Sequence, residues 1–455
     1  MGVKVRREVW SWKAPKHSYS VKKSARTNVP ASSATIENRR HSNSRLRAAL
    51  AILGLLSATS GQLVCQEAVR TSLAGEAAAE ARHRAAAVPG FYDLQLGPTK
   101  WNLAAGLDLE ANDNIRFASS QPDADLTVRP QVNTQMDWRV SEQNTLNLAL
   151  GAGYSAYVFH SQFDRFFVGP GSELSFDLYA GDFWINLHER FSITENAYSD
   201  PTVVGTADYS QLQNSAGVLA TWDLNQLILR LGYDHANYNT VSGGGGVPNG
   251  VSEVANCSAG YRFGPELTTG LESGGGLIQY SGAAAGITEA VDWNLGAFLQ
   301  AQPMEHVSVK AGAGYTAYIP QAADNLSKNE FTGAYARIAL NHQLNQWVEY
   351  GLSGGRNISF GFFGGTIDLY SAALSARWRL FSKLGLVTWF EFEHGSQVLV
   401  GQESFDRFGP GMSLDRPITR KMTGSIRYQY YQRGSDMPGG DYLVNIVTLS
   451  LLVSL

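Results

Sequence analysis

The stretch that decides the fold runs from Trp138 to Tyr157 and reads WRVSEQNTLNLALGAGYSAY. A segment ending at an aromatic is followed by a short polar turn and then by a strictly alternating segment. Period two places alternate residues on opposite faces of a β-strand. One face of this strand is apolar and carries Leu146, Leu148, Leu150, Ala152, Tyr154, Ala156 and Val158. The other face is small and polar and carries Asn147, Ala149, Gly151, Gly153, Ser155 and Tyr157.

This alternating segment is longer than most strands of soluble proteins, which have about 5–6 residues. It suits a strand that crosses a bilayer obliquely, which needs roughly 9–11 residues in the hydrocarbon. The pattern recurs to the end of the chain, and short connections alternate strictly with long ones. Eight short and nine long connections predict eighteen strands, with sixteen as the alternative. Such alternation is typical of an all-β, up-and-down antiparallel transmembrane barrel.

Composition favours β structure and excludes several functional classes. The chain has 47 Gly, 20 Tyr and 20 Phe, and 17% of its residues are charged. Residues 1–65 hold 12 of the 36 Lys and Arg and 2 of the 40 Asp and Glu, which leaves 24 basic and 38 acidic residues in the remainder. An acidic body argues against nucleic-acid binding. With Cys65 and Cys257 as the two cysteines, neither a disulfide framework nor a zinc site is indicated, and we expect no metal and no cofactor.

The N-terminal part has the pattern of an export leader. Four arginines between Arg39 and Arg47 precede an apolar run from Ala48 to Leu56, and small residues follow. This order describes a signal peptide, and the apolar run is too short for a spanning helix. We therefore predict a basic extension and signal peptide over 1–65, an Ala-rich periplasmic lead over 66–98, partly disordered or a short helix, and the barrel over 99–455.

Aromatic residues gather where strands approach the connections. Two belts of amphipathic rings, one at each interface, are expected of a membrane barrel. The predicted girdle comprises Trp101, Trp138, Trp222, Trp378, Tyr154, Tyr233 and Tyr315.

The polar phase of the strands should line the lumen, which is wide enough for water at eighteen strands. Its charges are of both signs and interleaved, so ion pairs along the wall and a charged constriction both remain open. The connection between Thr194 and Gln211 is the longest and is the best candidate to fold inward, with a surface loop as the alternative. The pore-lining candidates are Arg129, Arg139, Asp137, Asp108, Glu110, Asp177, Arg190, Arg230, Glu272, Asp292, Lys310, Arg377, Arg379, Glu391 and Arg427.

Catalytic chemistry is not indicated. Asp234-His235 and Glu393-His394 resemble acid–base pairs, but neighbours on a strand point to opposite faces. His188 shares the lumen phase, yet a hydrolase would also need a positioned acid and oxyanion donors. We therefore predict that the protein is not an enzyme.

The signal peptide, the strand pattern and the membrane-type last strand, Tyr442 to Leu455, together resemble bacterial outer-membrane β-barrel proteins of the porin type. The resemblance covers about Lys100 to Leu455 and implies the outer membrane of a Gram-negative-type bacterium. Its implied partners are outer-membrane lipid, the barrel-assembly machinery and small hydrophilic solutes, and homo-oligomer formation stays open. The function it implies is passive diffusion. A substrate-specific sugar or polysaccharide barrel and a structural or adhesive barrel are the alternatives.

Overall fold

A computed structural model describes residues 92–194, 201–242, 249–281, 287–322, 330–360, 366–381, 383–397 and 403–455. The predicted signal peptide and nearly all of the periplasmic lead lie outside the described residues. Within these ranges, no helix is long and apolar enough to cross a membrane.

The described chain is built from strands and one short 3-10 helix at Ser161–Phe163. The strands are β1 (Leu94–Leu96), β2 (Thr99–Asn112), β3 (Asp125–Arg139), β4 (Thr145–Tyr157), β5 (Arg165–Val168), β6 (Glu173–Ala180), β7 (Phe183–Thr194), β8 (Ser210–Leu224), β9 (Leu227–Ser242), β10 (Asn249–Gly264), β11 (Leu267–Ser281), β12 (Ile287–Met304), β13 (Val307–Ala322), β14 (Phe331–Gln343), β15 (Val348–Phe360), β16 (Thr366–Phe381), β17 (Leu384–Gln397), β18 (Ser404–Pro417), β19 (Met422–Ser435) and β20 (Tyr442–Ser454).

Pairing is antiparallel between neighbours in the chain, and the sheet closes where β2 pairs with β20, from Ala104 opposite Ser454 to Asn112 opposite Ile446. β5 and β6 both pair with β4 and with β7, so together they form one broken strand of the wall. β1 pairs only with the start of β2 and adds no further strand to the wall. The structure therefore confirms a closed barrel of eighteen strands rather than sixteen.

Short and long connections alternate as predicted. The tightest hairpins turn at Gly181-Asp182 and Asn225-Gln226, where Gly181 and Asn225 adopt φ of 63° and 69°. Glycine and asparagine are the residues that tolerate this left-handed conformation in two-residue hairpin loops. Several long connections begin later than the sequence indicated, because β13 continues through Pro320 and β15 through Asn357.

One predicted connection was wrong in part. The segment from His160 to Gly171 was expected to be a loop, yet β5 lies within it and pairs with β4. β5 and β6 are separated by Gly169-Pro170-Gly171 and Ser172, and proline has no N–H for a ladder. The same tripeptide recurs as Gly409-Pro410-Gly411 in β18, where the pairing with β19 passes from Phe408–Gln432 to Gly411–Gln429 and skips the intervening Gly409-Pro410.

The two faces of the wall differ as the alternation predicted. On the outer face Leu150, Leu231 and Leu271 are 41%, 63% and 64% exposed. The opposite face carries small and polar residues, and its buried groups include Ser155 and Asn186. An apolar outside around a polar inside is the arrangement of a transmembrane barrel. The molecule therefore has clusters on its inner side in place of a central apolar core.

Candidate functional site in the barrel interior

The described part of the connection between β7 and β8 packs against the inner wall of the barrel. Its described residues, 201–209, are called the crossing loop below. Val203 is fully buried in an apolar cluster on the inner wall. The cluster comprises Phe117, Val203, Tyr209, Tyr431, Tyr442, Val444 and Ile446. Because β2, β3, β4 and the broken β5–β6 strand separate β7 from β20 along the wall, the crossing loop reaches these residues through the interior. For its described residues, 201–209, the predicted inward folding of this connection is confirmed.

Arg433 on β19 fixes the N-terminal end of the crossing loop, at Pro201. Its Nε donates to the Pro201 carbonyl at 2.9 Å, and its Nη1 donates to the Gly440 carbonyl at 2.5 Å. Its Nη2 lies 2.8 Å from Glu403 Oε1, and the guanidinium stacks 4.2 Å from the centre of the Phe405 ring. The planar guanidinium of arginine spreads its five donors over three nitrogens, so it can reach acceptors on different segments, whereas the three donors of a lysine share one nitrogen. The Arg433 side chain is fully buried.

Arg165 on β5 fixes the C-terminal end of the crossing loop, at Ala207 and Tyr209. Its Nη2 donates to the Ala207 carbonyl at 3.0 Å and its Nη1 to the Tyr209 carbonyl at 2.8 Å. Asp208 Oδ1 lies 3.7 Å from the same Nη1. Two arginines, one on each side of the β2–β20 pairing that closes the barrel (the seam), therefore hold the crossing loop at both ends. Arg165 lies in the motif Phe163-Asp-Arg-Phe166, which recurs as Phe405-Asp-Arg-Phe408, and the structure shows what its arginine does.

The second copy of that motif places Arg407 on the inner face of β18. Its Nε donates to Glu393 Oε2 at 2.6 Å, and its guanidinium lies 5.0 Å from the centre of the Tyr431 ring in the apolar cluster. Glu393 faces inward, whereas His394 lies 2.8 Å from Asp406 on the outer side. The predicted separation of Glu393 and His394 to opposite faces is confirmed.

The connection after β2 also packs inward, and it forms hydrogen bonds with β20 at the seam. Asp113 accepts hydrogen bonds from the backbone N and the side-chain Nδ2 of Asn445, both at 2.7 Å. Asn114 donates to the Leu443 carbonyl at 3.1 Å. Phe117 then meets Tyr442 edge-to-face at 5.2 Å, and its carbonyl accepts the Gly205 N–H at 3.2 Å. The first connection thus supports the crossing loop from the seam side.

Strand alternation places all fifteen predicted pore-lining residues on the inner face. Five of them form ion pairs with neighbours on the wall. Arg129 donates to Glu110 at 2.6 Å, which joins two of the candidates. The other pairs are Arg190 with Glu173 at 3.6 Å, Glu272 with Arg337, and Arg377 with Glu349 at 3.9 Å. These pairs agree with the expectation of ion pairs along the wall, and opposite charges so close largely cancel at a distance.

The remaining candidates have other surroundings. Asp177 accepts from Asn147, Trp184 and Asn186, so neutral donors satisfy it. Asp108 accepts from Gln131 at 3.2 Å. Asp292 is buried on the wall, while Arg139, Asp137 and Arg379 are exposed near the short connections. Arg230, Lys310 and Glu391 also lie on this face.

A buried His–Asp contact was missed in the sequence. His188 Nε2 lies 2.7 Å from Asp234 Oδ1, and Ser215 Oγ donates to the same oxygen at 3.3 Å. The two residues come from β7 and β9, and they meet because Gly217 on the intervening β8 has no side chain. The other ring nitrogen of His188 lies 2.9 Å from Asn186 Oδ1, so neither nitrogen is placed to activate Ser215. The geometry is that of a structural network.

The predicted girdle residues lie on the outer face. Six are between 36% and 47% exposed: Trp138, Trp222, Trp378, Tyr154, Tyr233 and Tyr315. Trp101 is half-buried and donates to Thr99 Oγ1 at 2.8 Å. Trp389 differs from all of these, because it lies on the inner face and lines a cavity of about 480 Å³. Sequence reasoning missed Trp389, because its strand has aromatic residues in both phases.

Within the described ranges, no group of three or more His, Cys, Asp or Glu side chains is arranged to hold a metal ion. Cys257 is an exposed free thiol on the outer face.

Comparison with solved structures returns barrels from two bacteria. Acinetobacter baumannii OccAB3 is 9% identical with a TM-score of 0.47, and the match covers 79% of this chain and all of that one. The outer membrane protein OpdK of Pseudomonas aeruginosa is 13% identical with a TM-score of 0.47, over 80% of this chain and all of that one. The chain is similar to outer-membrane proteins. OpdK solved with vanillate matches at 13% identity with a TM-score of 0.45, over the same shares. No family model matches, and no curated protein matches in sequence. At these values the likeness does not bear on a solute, and the strand pairing itself establishes the architecture.

Proposed function

We propose that the protein is an outer-membrane channel for passive diffusion of small hydrophilic solutes, and that the crossing loop forms its constriction. Three features support this proposal. The barrel is closed, its outer face is apolar, and its inner face is polar, which together suit a wall between lipid and water. Eighteen strands leave a lumen wide enough for water. Export by a signal peptide, folding by the assembly machinery and contact with outer-membrane lipid are parts of the same proposal.

The observation that carries the proposal is the fixed position of the crossing loop. Arg165 and Arg433 hold carbonyls at its two ends, and Val203 is buried between them. A segment held across the interior reduces the cross-section through which solutes pass. Adhesive loops, in contrast, need exposed residues, and residues 201–203 are buried.

The charge arrangement points to weak ion selectivity. Inner-wall arginines pair with carboxylates along the wall, as Arg129 does with Glu110. A lumen of one sign would concentrate counter-ions and exclude the other sign. Because this wall carries both signs in close pairs, we expect anions and cations to pass at similar rates.

Planar-bilayer recordings of the purified protein test the proposal. We expect stepwise conductance in the wild type and a larger unitary conductance in Val203→Asp, because a carboxylate cannot stay buried in the apolar cluster and the crossing loop would leave it. Val241→Asp is the matched control. Val241 is 56% exposed near the C-terminal end of β9, so this substitution should leave conductance unchanged.

A silent barrel would overturn the channel function. Equal conductance in the wild type and Val203→Asp, with both proteins folded by circular dichroism, would overturn the constriction. If removing residues 202–208 abolished attachment to a surface without changing conductance, an adhesive role would replace the proposal. The cavity beside Trp389 favours a second candidate, a sugar-selective channel.

A further inference from the structure

We propose that the cavity beside Trp389 is a binding site for an uncharged sugar of one or two rings. The inference rests on the proposed function, because it assumes that solutes pass through the lumen.

The cavity lies on the inner wall between β14 and β19 and has a volume of about 480 Å³. Small-molecule sites commonly have volumes of about 300–1,000 Å³. The residues that matter for recognition are Asn341, Trp389, Glu391, Asp415, Arg427 and Gln429. Gln429 donates to the hydroxyl of Tyr431, which packs in the cluster with Val203. A solute that passes the crossing loop along this wall would therefore reach the cavity next.

Trp389 forms a flat shelf in this cavity. Its indole lies directly over Gly411 on β18, where an added Cβ would be 2.3 Å from both Cε2 and Cζ2. Only glycine leaves room for the ring to lie against the wall in this way. One face of the indole is thus covered by backbone, and the half-buried ring contributes to the lining of the cavity. An indole placed on a wet inner wall offers apolar surface that water cannot satisfy.

The polar groups around the shelf match hydroxyls better than ions. Arg427 and the amides of Asn341 and Gln429 supply donors, while Glu391 and Asp415 supply acceptors. Sugar hydroxyls both donate and accept, and the C–H face of a sugar ring is apolar enough to stack on indole. Charges of both signs line the same cavity: Arg427, whose guanidinium lies 6.0 Å from the centre of the Trp389 ring, faces it together with Glu391 and Asp415. Their fields partly cancel, so an ion gains less from this site than a neutral solute gains from stacking and hydrogen bonds.

The test is a titration of single-channel current with maltose. We expect the wild-type current to fall with maltose and to saturate. Trp389→Ala should raise the half-blocking concentration about tenfold, as loss of an aromatic stacking contact would. Gly411→Ala keeps the indole but pushes it off the wall, and it should shift the titration in the same direction. Trp184→Phe is the control, because Trp184 also lies on the inner wall but donates to Asp177 away from the cavity.

The outcomes separate this inference from the proposed function. Normal conductance without saturable block by maltose would overturn the sugar site and leave the channel intact. Absence of conductance would overturn the channel itself. Stronger block by sodium glutamate or lysine hydrochloride than by maltose would show a site for charged solutes and would also overturn the inference. Block that is equal in the wild type, Trp389→Ala and Gly411→Ala would place sugar binding elsewhere and overturn the assignment to this cavity.

Discussion

The outer and inner faces of the same strands obey different rules. On the outer face, exposed leucines such as Leu150, Leu231 and Leu271 recur around the barrel, and each needs only an apolar surrounding. On the inner face of β19, Arg433 is 1% exposed and binds the Pro201 carbonyl of the crossing loop, while Arg427 on the same strand is exposed. A uniform solvent acts on each outer residue independently. Inner residues depend on particular partners, and the consequences of changing them therefore vary widely.

The largest effect is expected where the inner face is most crowded. Arg433→Ala removes the partner of Glu403 and the donors to Pro201 and Gly440. Breaking a buried ion pair by removing one member costs about 3–5 kcal/mol. We expect a loss of that size in the free energy of unfolding, measured by denaturant titration of the protein in detergent micelles, together with increased current noise.

Arg427→Ala is the matched control for this prediction, because Arg427 is exposed on the same strand. Its loss should cost less than about 1 kcal/mol, since exposed charges contribute little to stability. Equal stability of the two variants would mean that the inner face is no more specific than the outer one.

A second, smaller effect sets the two faces directly against each other at adjacent positions on β4. Leu150→Arg places a charge on the outer face, where a lipid-facing arginine costs about 2–4 kcal/mol at the bilayer midplane. Ala149→Arg places the same charge on the inner face, where Glu173 is the neighbouring residue on β6, and should be nearly neutral. The measurement is the free energy of folding into lipid vesicles. If Ala149→Arg lost more folding free energy than Leu150→Arg, the assignment of the two faces would be reversed.

The outer face and the strand order could be predicted because they depend on local periodicity. The alternation from Leu146 to Tyr157 determines which residues face outward, and the polar turns between alternating segments determine the number of strands. The break at Gly169-Pro170-Gly171 was misread, since a loop and a strand interrupted by proline look alike when the pairing partner is unknown.

The interior was predictable only in part, for physical reasons. The length of the connection after Thr194 suggested inward folding, but the contact of Arg433 with Pro201 joins residues 232 positions apart. No local pattern specifies which of many inner arginines receives such a partner. The His188–Asp234 contact depends on Gly217 between them, and the Trp389 shelf depends on Gly411. Glycines on neighbouring strands thus decide which inner side chains meet.

The smallest effect tests that role of glycine. At Gly314 on β13, an added Cβ would lie 2.2 Å from the Leu295 carbonyl oxygen and 2.7 Å from Cε1 of Tyr335. Tyr335 lies over this glycine and donates to Glu272 at 2.8 Å. Overpacking of this kind costs about 1–3 kcal/mol, so Gly314→Ala should lower the free energy of unfolding by that amount.

Gly264→Ala provides the comparison, because no heavy atom lies within 4 Å of the added Cβ at that position. It should leave stability unchanged or raise it slightly by restricting the unfolded chain. Denaturant titration of both variants decides the matter. If Gly314→Ala were as stable as Gly264→Ala, the inner aromatics would adjust freely, and glycine placement would not select which inner side chains come together.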